Sequence, residues 1–315
     1  MPDLNSSRSL VSCLEFYLED CLARGETNRT VEGKQSNLKL FIKWCLEQGV
    51  DSIDDCTFQL AEEYRRYLNK YRIPVKNKPL ELGTLKNRLN AVKVFFARLY
   101  YHEMIPSDPT SKLMMPKVPK RLTQKYFSPA EANSVINQAK LNTSYGLRDV
   151  AILEVLYATG IRRMELANLK ISDIDTEKGV LSVYQGKGRK DRRVPIAPRA
   201  LIAIERYLCG LRPKLATINA GEYLFLNNQG QPFQQRRLSY LVSKYVKQSP
   251  VKVKGSCNLF RHTTATLMHE NGADIRHVQA MMGHADISTT QIYTHVAIPK
   301  LKEVYSKTHP CMMGS

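Results

Sequence analysis

The chain has 315 residues, of which 43% are hydrophobic, and its formal net charge is +18. This length allows two domains, and the basic character favours a polyanionic partner such as nucleic acid. No run of about 18 apolar residues marks a membrane span, and the polar start, Met1 to Arg8, lacks the apolar region of a signal peptide. We expect a cytoplasmic protein, associated with the bacterial nucleoid and not with a membrane.

The seven cysteines are scattered along the chain, at Cys13, Cys21, Cys45, Cys56, Cys209, Cys257 and Cys311. Their number is odd and none form a CxxC pair, the spacing that many zinc and redox sites use. We therefore expect reduced thiols without a disulfide framework. The sequence predicts neither a metal site nor a cofactor.

The positive charge is unevenly distributed. Residues 1–64 contain 6 Lys or Arg against 12 Asp or Glu, residues 65–98 contain 10 against 1, and residues 111–315 contain 31 against 14. Solubility alone would not segregate the charge in this way. One part of the first half and the whole second half are therefore predicted to face a polyanion.

Apolar residues at three- and four-residue spacing predict four helices in the first third of the chain. These cover Ser9 to Arg24, Thr30 to Gln48, Thr57 to Tyr71, and Leu85 to His102 after a capping Thr84. No strand pattern lies among them. Residues 1–105 are therefore predicted to form a helical DNA-binding domain.

A linker and a second domain follow. Four prolines between Pro106 and Pro119 indicate a linker over residues 106–125, and whether its basic end lies along DNA or is only solvated is open. Residues 126–315 then combine helices with one predicted strand pair, Val180 to Tyr184 and Arg192 to Ile196. The predicted class is a multidomain, mainly α protein whose mixed α/β second domain contains a small antiparallel sheet.

The helices of the second domain are marked by caps and by glycines at their ends. They are a helix opened by Ser128 to Glu131, Tyr145 to Ala158 ended by Gly160, Arg162 to Leu169, Arg199 to Leu211, Gln235 to Lys247, a segment from Arg261 to Asn271, a helix between Asp274 and Gly283, one opened by Ser288 to Gln291, and Pro299 to Ser306.

Three separated segments carry the most specific patterns. The first runs from Ala158 to Leu166 and is followed by Asp173 to Asp175, and the second is the glycine- and lysine-rich stretch from Gly186 to Pro195. The third, Asn258 to Val296, contains Arg261, His284 and, nine residues after that histidine, Tyr293. Three motifs in a fixed order are far more specific than one short motif.

In these segments the chain resembles the tyrosine recombinases, also called phage-type integrases, and among them the Xer-like and integron-like simple recombinases. The resemblance spans essentially the whole chain. It implies a core-binding (SAM-like) helical domain and a catalytic domain that close around duplex DNA as a C-shaped clamp. It also implies a homotetramer on two specific DNA sites, a C-terminal multimerisation tail that packs into the neighbouring protomer, and strand exchange through a Holliday junction.

The resemblance assigns six residues to a reaction in which a tyrosine attacks a phosphodiester and forms a 3′-phosphotyrosine, namely Arg162, Lys187, Asn258, Arg261, His284 and Tyr293. The two arginines would hold non-bridging phosphate oxygens, Lys187 would protonate the leaving 5′-oxygen, and His284 would hydrogen-bond the phosphate. Tyr293 would be the nucleophile. Because the phosphotyrosine conserves the energy of the broken bond, neither ATP nor metal is required, and side chains must supply the positive charge.

Other residues have supporting or DNA-contact roles in this prediction. Glu165 and Asp173 are expected to fix the helix that carries Arg162, whose rival Arg163 is disfavoured by the motif register. The predicted DNA contacts are basic residues of the fourth helix and of the hairpin turn, namely Arg88, Lys93, Arg189 and Lys190.

Position 258 departs from the family pattern, which usually has histidine there and sometimes lysine. Asn258 can donate a hydrogen bond to the phosphate, but it cannot accept the tyrosine proton as a base. An active recombinase with a differently tuned cleavage step is our main hypothesis, acting in integration, excision, resolution or transposition.

Two alternatives share the fold or the chemistry. Asn258 supports a catalytically weakened DNA-binding or architectural paralogue, and a relaxing topoisomerase would use the same phosphotyrosine. The separate helical domain and the tail favour site-specific recombination. The DNA target sequence is open, and so is a requirement for an accessory recombinase or a directionality factor.

Overall fold

The computed structural model describes residues 8–75, 77–117, 126–184, 191–283 and 298–312. Internal contacts divide the chain into two units, Met1–Arg121 (unit 1) and Leu122–Ser315 (unit 2). Each unit has its own hydrophobic core. In the described part of the chain, no helix is long and apolar enough to cross a membrane.

Unit 1 contains the four predicted helices. They are α1 (Leu10–Ala23), α2 (Asn28–Glu47), α3 (Phe58–Lys70) and α4 (Leu82–Tyr101). Helix α4 begins with Glu81 as its N-cap, so Thr84 lies inside the first turn and the predicted cap is wrong. A short antiparallel pair, β1 (Arg72–Ile73) and β2 (Lys78–Pro79), also contradicts the expectation of no strands, because two-residue strands are too short to show alternation.

Aromatic side chains join the helices of unit 1. Trp44 of α2 packs against Tyr64 and Tyr67 of α3, with ring centroids 5.3 and 5.7 Å apart. Phe41, also on α2, makes edge-on contacts with Tyr64 and with Phe96 of α4. Each such pair contributes roughly 0.5–1.5 kcal/mol beyond the area it buries, so this cluster holds α2, α3 and α4 together.

Part of the predicted linker is packed onto unit 1. Leu113 is only 3% exposed and belongs to the core of this unit. Lys93 of α4 donates through Nζ to the carbonyl oxygens of Leu113 at 3.3 Å and Ser111 at 3.4 Å. Residues 118–125 of the predicted linker lie outside the described residues.

Unit 2 is built mainly from helices around one small sheet. Its helices are α5 (Pro129–Lys140), α6 (Gly146–Thr159), α7 (Arg163–Asn168), α8 (Pro198–Gly210), α9 (Arg212–Leu215), α10 (Gln235–Gln248), α11 (Cys257–Glu270), α12 (Ile275–Met282) and α13 (Ile298–Thr308). The strands β3 (Ile174–Asp175), β4 (Val180–Val183) and β5 (Arg192–Pro195) form an antiparallel sheet in the order β3-β4-β5. In β4 and β5, Val183 is paired with Arg192 and Val180 with Pro195, as expected for the predicted hairpin.

Local caps set several helix ends in unit 2, as the sequence predicted. Ser128 and Glu131 form a capping box at the start of α5, and the side chain of Asp274 caps α12. Gly160 and Gly283 end α6 and α12 with φ angles of +60° and +61°, a region that suits glycine. Helix α11 starts earlier than predicted, so Arg261 lies in its second turn and not at its beginning.

The C-terminal segment packs on its own unit. The hydroxyl of Tyr305 in α13 donates to the carbonyl oxygen of Ala158 at 3.0 Å, and His309 Nε2 lies 3.1 Å from the carbonyl oxygen of Tyr157. The rings of Tyr305 and His309 stack with centroids 4.5 Å apart. Burial lowers the pKa of His309 to about 3, so this fully buried ring is neutral.

Candidate active site

Three arginines from different elements meet at the C-terminal end of α12. Arg162 is the residue immediately before α7, Arg192 opens β5, and Arg261 lies in α11. The sequence motifs predicted Arg162 and Arg261 as residues of one site, whereas Arg192 was predicted only as part of a strand. All three guanidinium groups are partly or fully buried.

Each arginine donates to one of three successive backbone carbonyl oxygens, those of Met281, Met282 and Gly283. Arg192 Nε bonds the first at 3.0 Å, Arg261 Nη2 bonds the second at 2.5 Å, and Arg162 Nη2 bonds the third. The last carbonyls of a helix have no partner within the helix and carry its partial negative charge. The arginines therefore satisfy these groups and fix the chain one residue before His284.

The turn at Gly160 brings the first arginine to this place. Its carbonyl oxygen accepts a hydrogen bond from Arg261 Nη1 at 2.7 Å. A Cβ atom at position 160 would lie 2.6 Å from Cε of Met282, and the φ angle of +60° is itself unfavourable for other residues. Glycine therefore lets α6 end tightly against α12, with Arg162 two residues further on.

A single buried carboxylate bonds two of the three arginines. Glu165, 8% exposed, accepts from Arg192 Nη1 and Nη2 at 2.9 and 2.8 Å, and from Arg162 Nη1 at 2.9 Å. It also accepts from the backbone N–H of Arg162 at 2.7 Å. Burial alone would raise the pKa of Glu165, but these bonds and charges outweigh it and lower the pKa to about 2.

Arg261 is the least compensated charge of the cluster. Its side chain is 7% exposed, and its two side-chain hydrogen bonds go to carbonyl oxygens. Burial, together with the positive charges of Arg162 and Arg192, lowers the pKa of Arg261 to about 10 despite the nearby Glu165. Among the described residues, three guanidinium groups face one carboxylate, and the excess positive charge would be stabilised by an anion bound in the site.

A concave surface lies beside the cluster and encloses a volume of about 390 Å³. Its lining residues come from α7, α10 and α11 and the residues just before them, namely Arg162, Arg163, Met164, Ser239, Ser256, Asn258, Arg261 and His262. Asn258 and His262 are exposed there. The pKa of His262 is lowered by partial burial and by the charge of Arg261, which favours a neutral imidazole.

Arg163, the rival to Arg162, and Asp173, which was expected to fix the helix that carries Arg162, form hydrogen bonds elsewhere. Arg163 donates through Nη1 to Ser239 Oγ of α10 at 2.7 Å, so this hydrogen bond joins α7 to α10. Asp173 accepts from the backbone N–H of Lys170 at 2.8 Å. It therefore stabilises the turn that follows α7, while Glu165 contacts Arg162 directly.

Five predicted site residues lie outside the described residues, namely Lys187, Arg189, Lys190, His284 and Tyr293. The described chain reaches Gly283 on one side of His284, and Tyr184 and Asp191 on the two sides of the hairpin turn. Within the described ranges, no group of three or more His, Cys, Asp or Glu residues could hold a metal ion.

The two predicted DNA contacts of α4 make contacts within unit 1. Lys93 binds the carbonyls of the packed linker segment, as described above. The guanidinium of Arg88 lies over the ring of Tyr71, with Cζ 5.7 Å from the centroid. Its Nε and Nη1 are buried, and its charge acts on the buried hydroxyl of Tyr64. Arg88 therefore packs within unit 1, and Lys93 helps to hold the chain after α4.

Arg192 is the residue of this cluster that the sequence-based prediction missed. A usable signal was present, since residues two apart on a strand face the same side. Val194 is fully buried and Arg193 is exposed, so Arg192 points toward the core. A charged residue facing the core requires a partner, and here that partner is Glu165.

Comparison with known proteins is consistent with this geometry. Residues 125–299, more than half of the chain, match the family described as the phage integrase family. The chain belongs to this family. The chain is 39% identical over 304 residues to tyrosine recombinase XerC 2 of Ralstonia nicotianae, and the match covers 96% of this chain and 87% of that relative.

Two solved structures share the fold. XerH site-specific recombinase bound to difH substrate, in a pre-cleavage complex, is 22% identical with a TM-score of 0.64, over 93% of this recombinase and 83% of that chain. A lambda integrase tetramer bound to a Holliday junction is 18% identical with a TM-score of 0.66, over 90% and 77%.

These matches confirm the mainly α, multidomain class predicted from the sequence. The family and the close relative identify the protein as a site-specific DNA recombinase.

Proposed function

We propose that this recombinase cuts and rejoins duplex DNA through a 3′-phosphotyrosine on Tyr293, with Arg162 and Arg261 holding the scissile phosphate. The observation that supports this proposal most directly is the cluster of Arg162, Arg192 and Arg261, in which, among the described residues, Glu165 bonds only the first two and Arg261 bonds only carbonyl oxygens. A phosphodiester in pentacoordinate form carries additional negative charge on its non-bridging oxygens. Prearranged guanidinium groups stabilise that charge without reorganisation.

In the proposed reaction, the oxygen of Tyr293 attacks phosphorus and the bond to the 5′-oxygen breaks. Lys187 gives a proton to that leaving oxygen, and His284 donates a hydrogen bond to a phosphate oxygen. The 5′-hydroxyl of another strand then attacks the phosphotyrosine and reverses the chemistry. No ATP and no metal enter these steps, because the arginines supply the positive charge.

The proton of Tyr293 needs an acceptor in this scheme. Asn258 lies on the same concave surface as Arg162 and Arg261, but an amide cannot take that proton. Asn258 would instead donate a hydrogen bond to a phosphate oxygen while water accepts the proton. This assignment predicts a cleavage step that is slower than one with a positioned histidine.

Covalent capture on DNA tests the proposal. A preferred site is first enriched from random-sequence duplexes by repeated binding, and a nicked duplex of that sequence then traps the cleaved state. We expect a covalent protein–DNA product that disappears in Tyr293→Phe. Binding of the enriched site without any covalent product would instead support the alternative, a catalytically weakened DNA-binding paralogue.

The same proposal includes a homotetramer on two DNA sites, joined by exchange of the C-terminal segment. Tyr305 and His309 contact backbone carbonyls of α6 in their own unit, and every copy offers the same carbonyls. Exchange between copies therefore replaces contacts with identical ones. Deletion after Val296 should leave a protein that binds a single site but recombines poorly, and unchanged recombination by this truncation would contradict the exchange.

A further inference from the structure

Arg192 links three parts of unit 2 that carry proposed site residues. It lies five residues after Lys187 in the sequence, it bonds both oxygens of Glu165, and it donates through Nε to the carbonyl oxygen of Met281 at 3.0 Å. Its side chain is 12% exposed. The β4–β5 hairpin, α7 and the end of α12 therefore meet at one guanidinium group.

The bonds to Glu165 are divided unequally between the two arginines. Arg192 bonds both carboxylate oxygens, while the side chain of Arg162 reaches only Oε1, through Nη1. A planar guanidinium group prefers to bond both oxygens of a carboxylate. Without Arg192, Glu165 would be free to take Arg162 in that two-bond arrangement and draw it away from a phosphate.

Arg192 also confines the end of α12. A Cβ atom on Gly283 would lie 3.0 Å from Cδ, Nε and Cζ of Arg192, so the helix end and this side chain are packed closely. His284 is the next residue. A displacement of Arg192 would therefore shift the backbone at Gly283, the residue before His284 in the sequence.

We propose that Arg192 is a positioning residue for DNA cleavage, which occupies Glu165 so that Arg162 stays available to the scissile phosphate and which holds the end of α12 beside it. This inference rests on the proposed phosphotyrosine chemistry. Arg192 is not expected to touch the DNA phosphate, because its donors bond Glu165 and Met281. Its effect should therefore depend on the charge of Glu165.

A double-mutant cycle measures that dependence. Cleavage is followed in a single turnover on the nicked duplex, with saturating protein, for Arg192→Met, Glu165→Gln and the double variant. We expect Arg192→Met to slow cleavage on the order of 10²-fold, as misplacement of a reacting geometry does. The double variant should cleave faster than Arg192→Met alone, because glutamine no longer captures Arg162 by charge.

Two further variants separate positioning from folding. Arg192→Lys retains the charge but bonds one oxygen at a time, so it should recover part of the lost rate. Arg193→Met changes the exposed neighbour on the same strand and should cleave like the wild type. Melting temperatures and site affinity, measured for every variant, show whether a lost rate reflects lost fold or lost binding.

The outcomes decide between the two proposals. Wild-type cleavage by Arg192→Met would overturn the inference and leave the proposed function intact. Losses that multiply in the double variant would also overturn it, because they would show that Arg192 acts independently of Glu165. Absence of a covalent product with the wild type would overturn the proposed function, and the inference with it.

Discussion

Unit 2 uses partly or fully buried arginines in two ways. Arg199 bonds both oxygens of Glu154 at 2.7 Å each, so one cation meets one anion of its own. In the arginine cluster at the end of α12, Arg162 and Arg192 share Glu165, whereas Arg261 bonds backbone carbonyl oxygens. A paired charge offsets much of its desolvation cost, whereas a buried charge without a partner costs free energy. The imbalance supports the proposal that an anionic substrate binds there.

The largest expected effect comes from removing one arginine of each kind, Arg261 from the cluster and Arg199 from its pair with Glu154. Arg261→Met should reduce covalent cleavage of the nicked duplex by about 10²–10³-fold, the typical effect of losing one donor to a developing charge. Arg199→Met should lower the melting temperature, because it leaves Glu154 without its partner, and should still cleave well below that temperature. Equal loss of cleavage in both variants would show that the two kinds of arginine do not differ in function.

The dependence of stability on acidic pH tests the carboxylate of the cluster, Glu165. The pKa of Glu165 is held at about 2, below its ordinary 4.5, so its contribution to stability is complete above about pH 4.5. That contribution is lost as pH falls from there toward 2, and it amounts to on the order of 3 kcal/mol. Urea unfolding should show a stability difference between wild type and Glu165→Gln that shrinks over this range, and a constant difference would contradict the assignment.

The substitution Asn258→His would place a base at the edge of the arginine cluster. Asn258→His should accelerate cleavage by up to about 10²-fold, the lower end of what a positioned base contributes. The variant's rate should rise with pH through about 6.5, as a histidine loses its proton, and the wild type should lack this step. The measurement is the covalent product formed against pH, with Asn258→Ala as the control for size and hydrogen bonding.

The smallest expected effect is that of a simple oxyanion. Sulfate at ten times its dissociation constant would stabilise the folded protein by about 1.4 kcal/mol, which raises the melting temperature by a few degrees. The rise should be smaller in Arg261→Met at the same ionic strength, since general salt effects are common to both proteins. An identical rise in the two proteins would remove the argument from excess charge.

Sequence patterns predicted the elements whose ends depend on one local residue. Ser128, Gly160, Asp274 and Gly283 act as expected, because a cap or a left-handed turn is decided within a few positions. The predicted start of α4 was wrong. Thr84 has the chemistry of a cap, but the chain is already helical from Leu82. Residues 81–84 are all exposed and Glu81 makes no side-chain cap hydrogen bond, so no local signal marks the earlier start.

The candidate site was predicted only as far as side-chain motifs reach. Arg162 and Arg261 were identified by register, and Glu165 by its charge. Arg192 was missed because its role depends on which face of β5 is buried. The carbonyl acceptors on α12 were beyond prediction, because every residue has a carbonyl and only the fold selects three of them.

The aromatic cluster of unit 1 gives this protein a built-in optical reporter. Trp44 of α2, which packs against α3, is the single tryptophan of the chain. Its fluorescence therefore reports on the helical unit alone, and near-ultraviolet signals from the tyrosines report on both units. A change in tryptophan emission when DNA is added would come from unit 1 even in the intact protein, with no label attached.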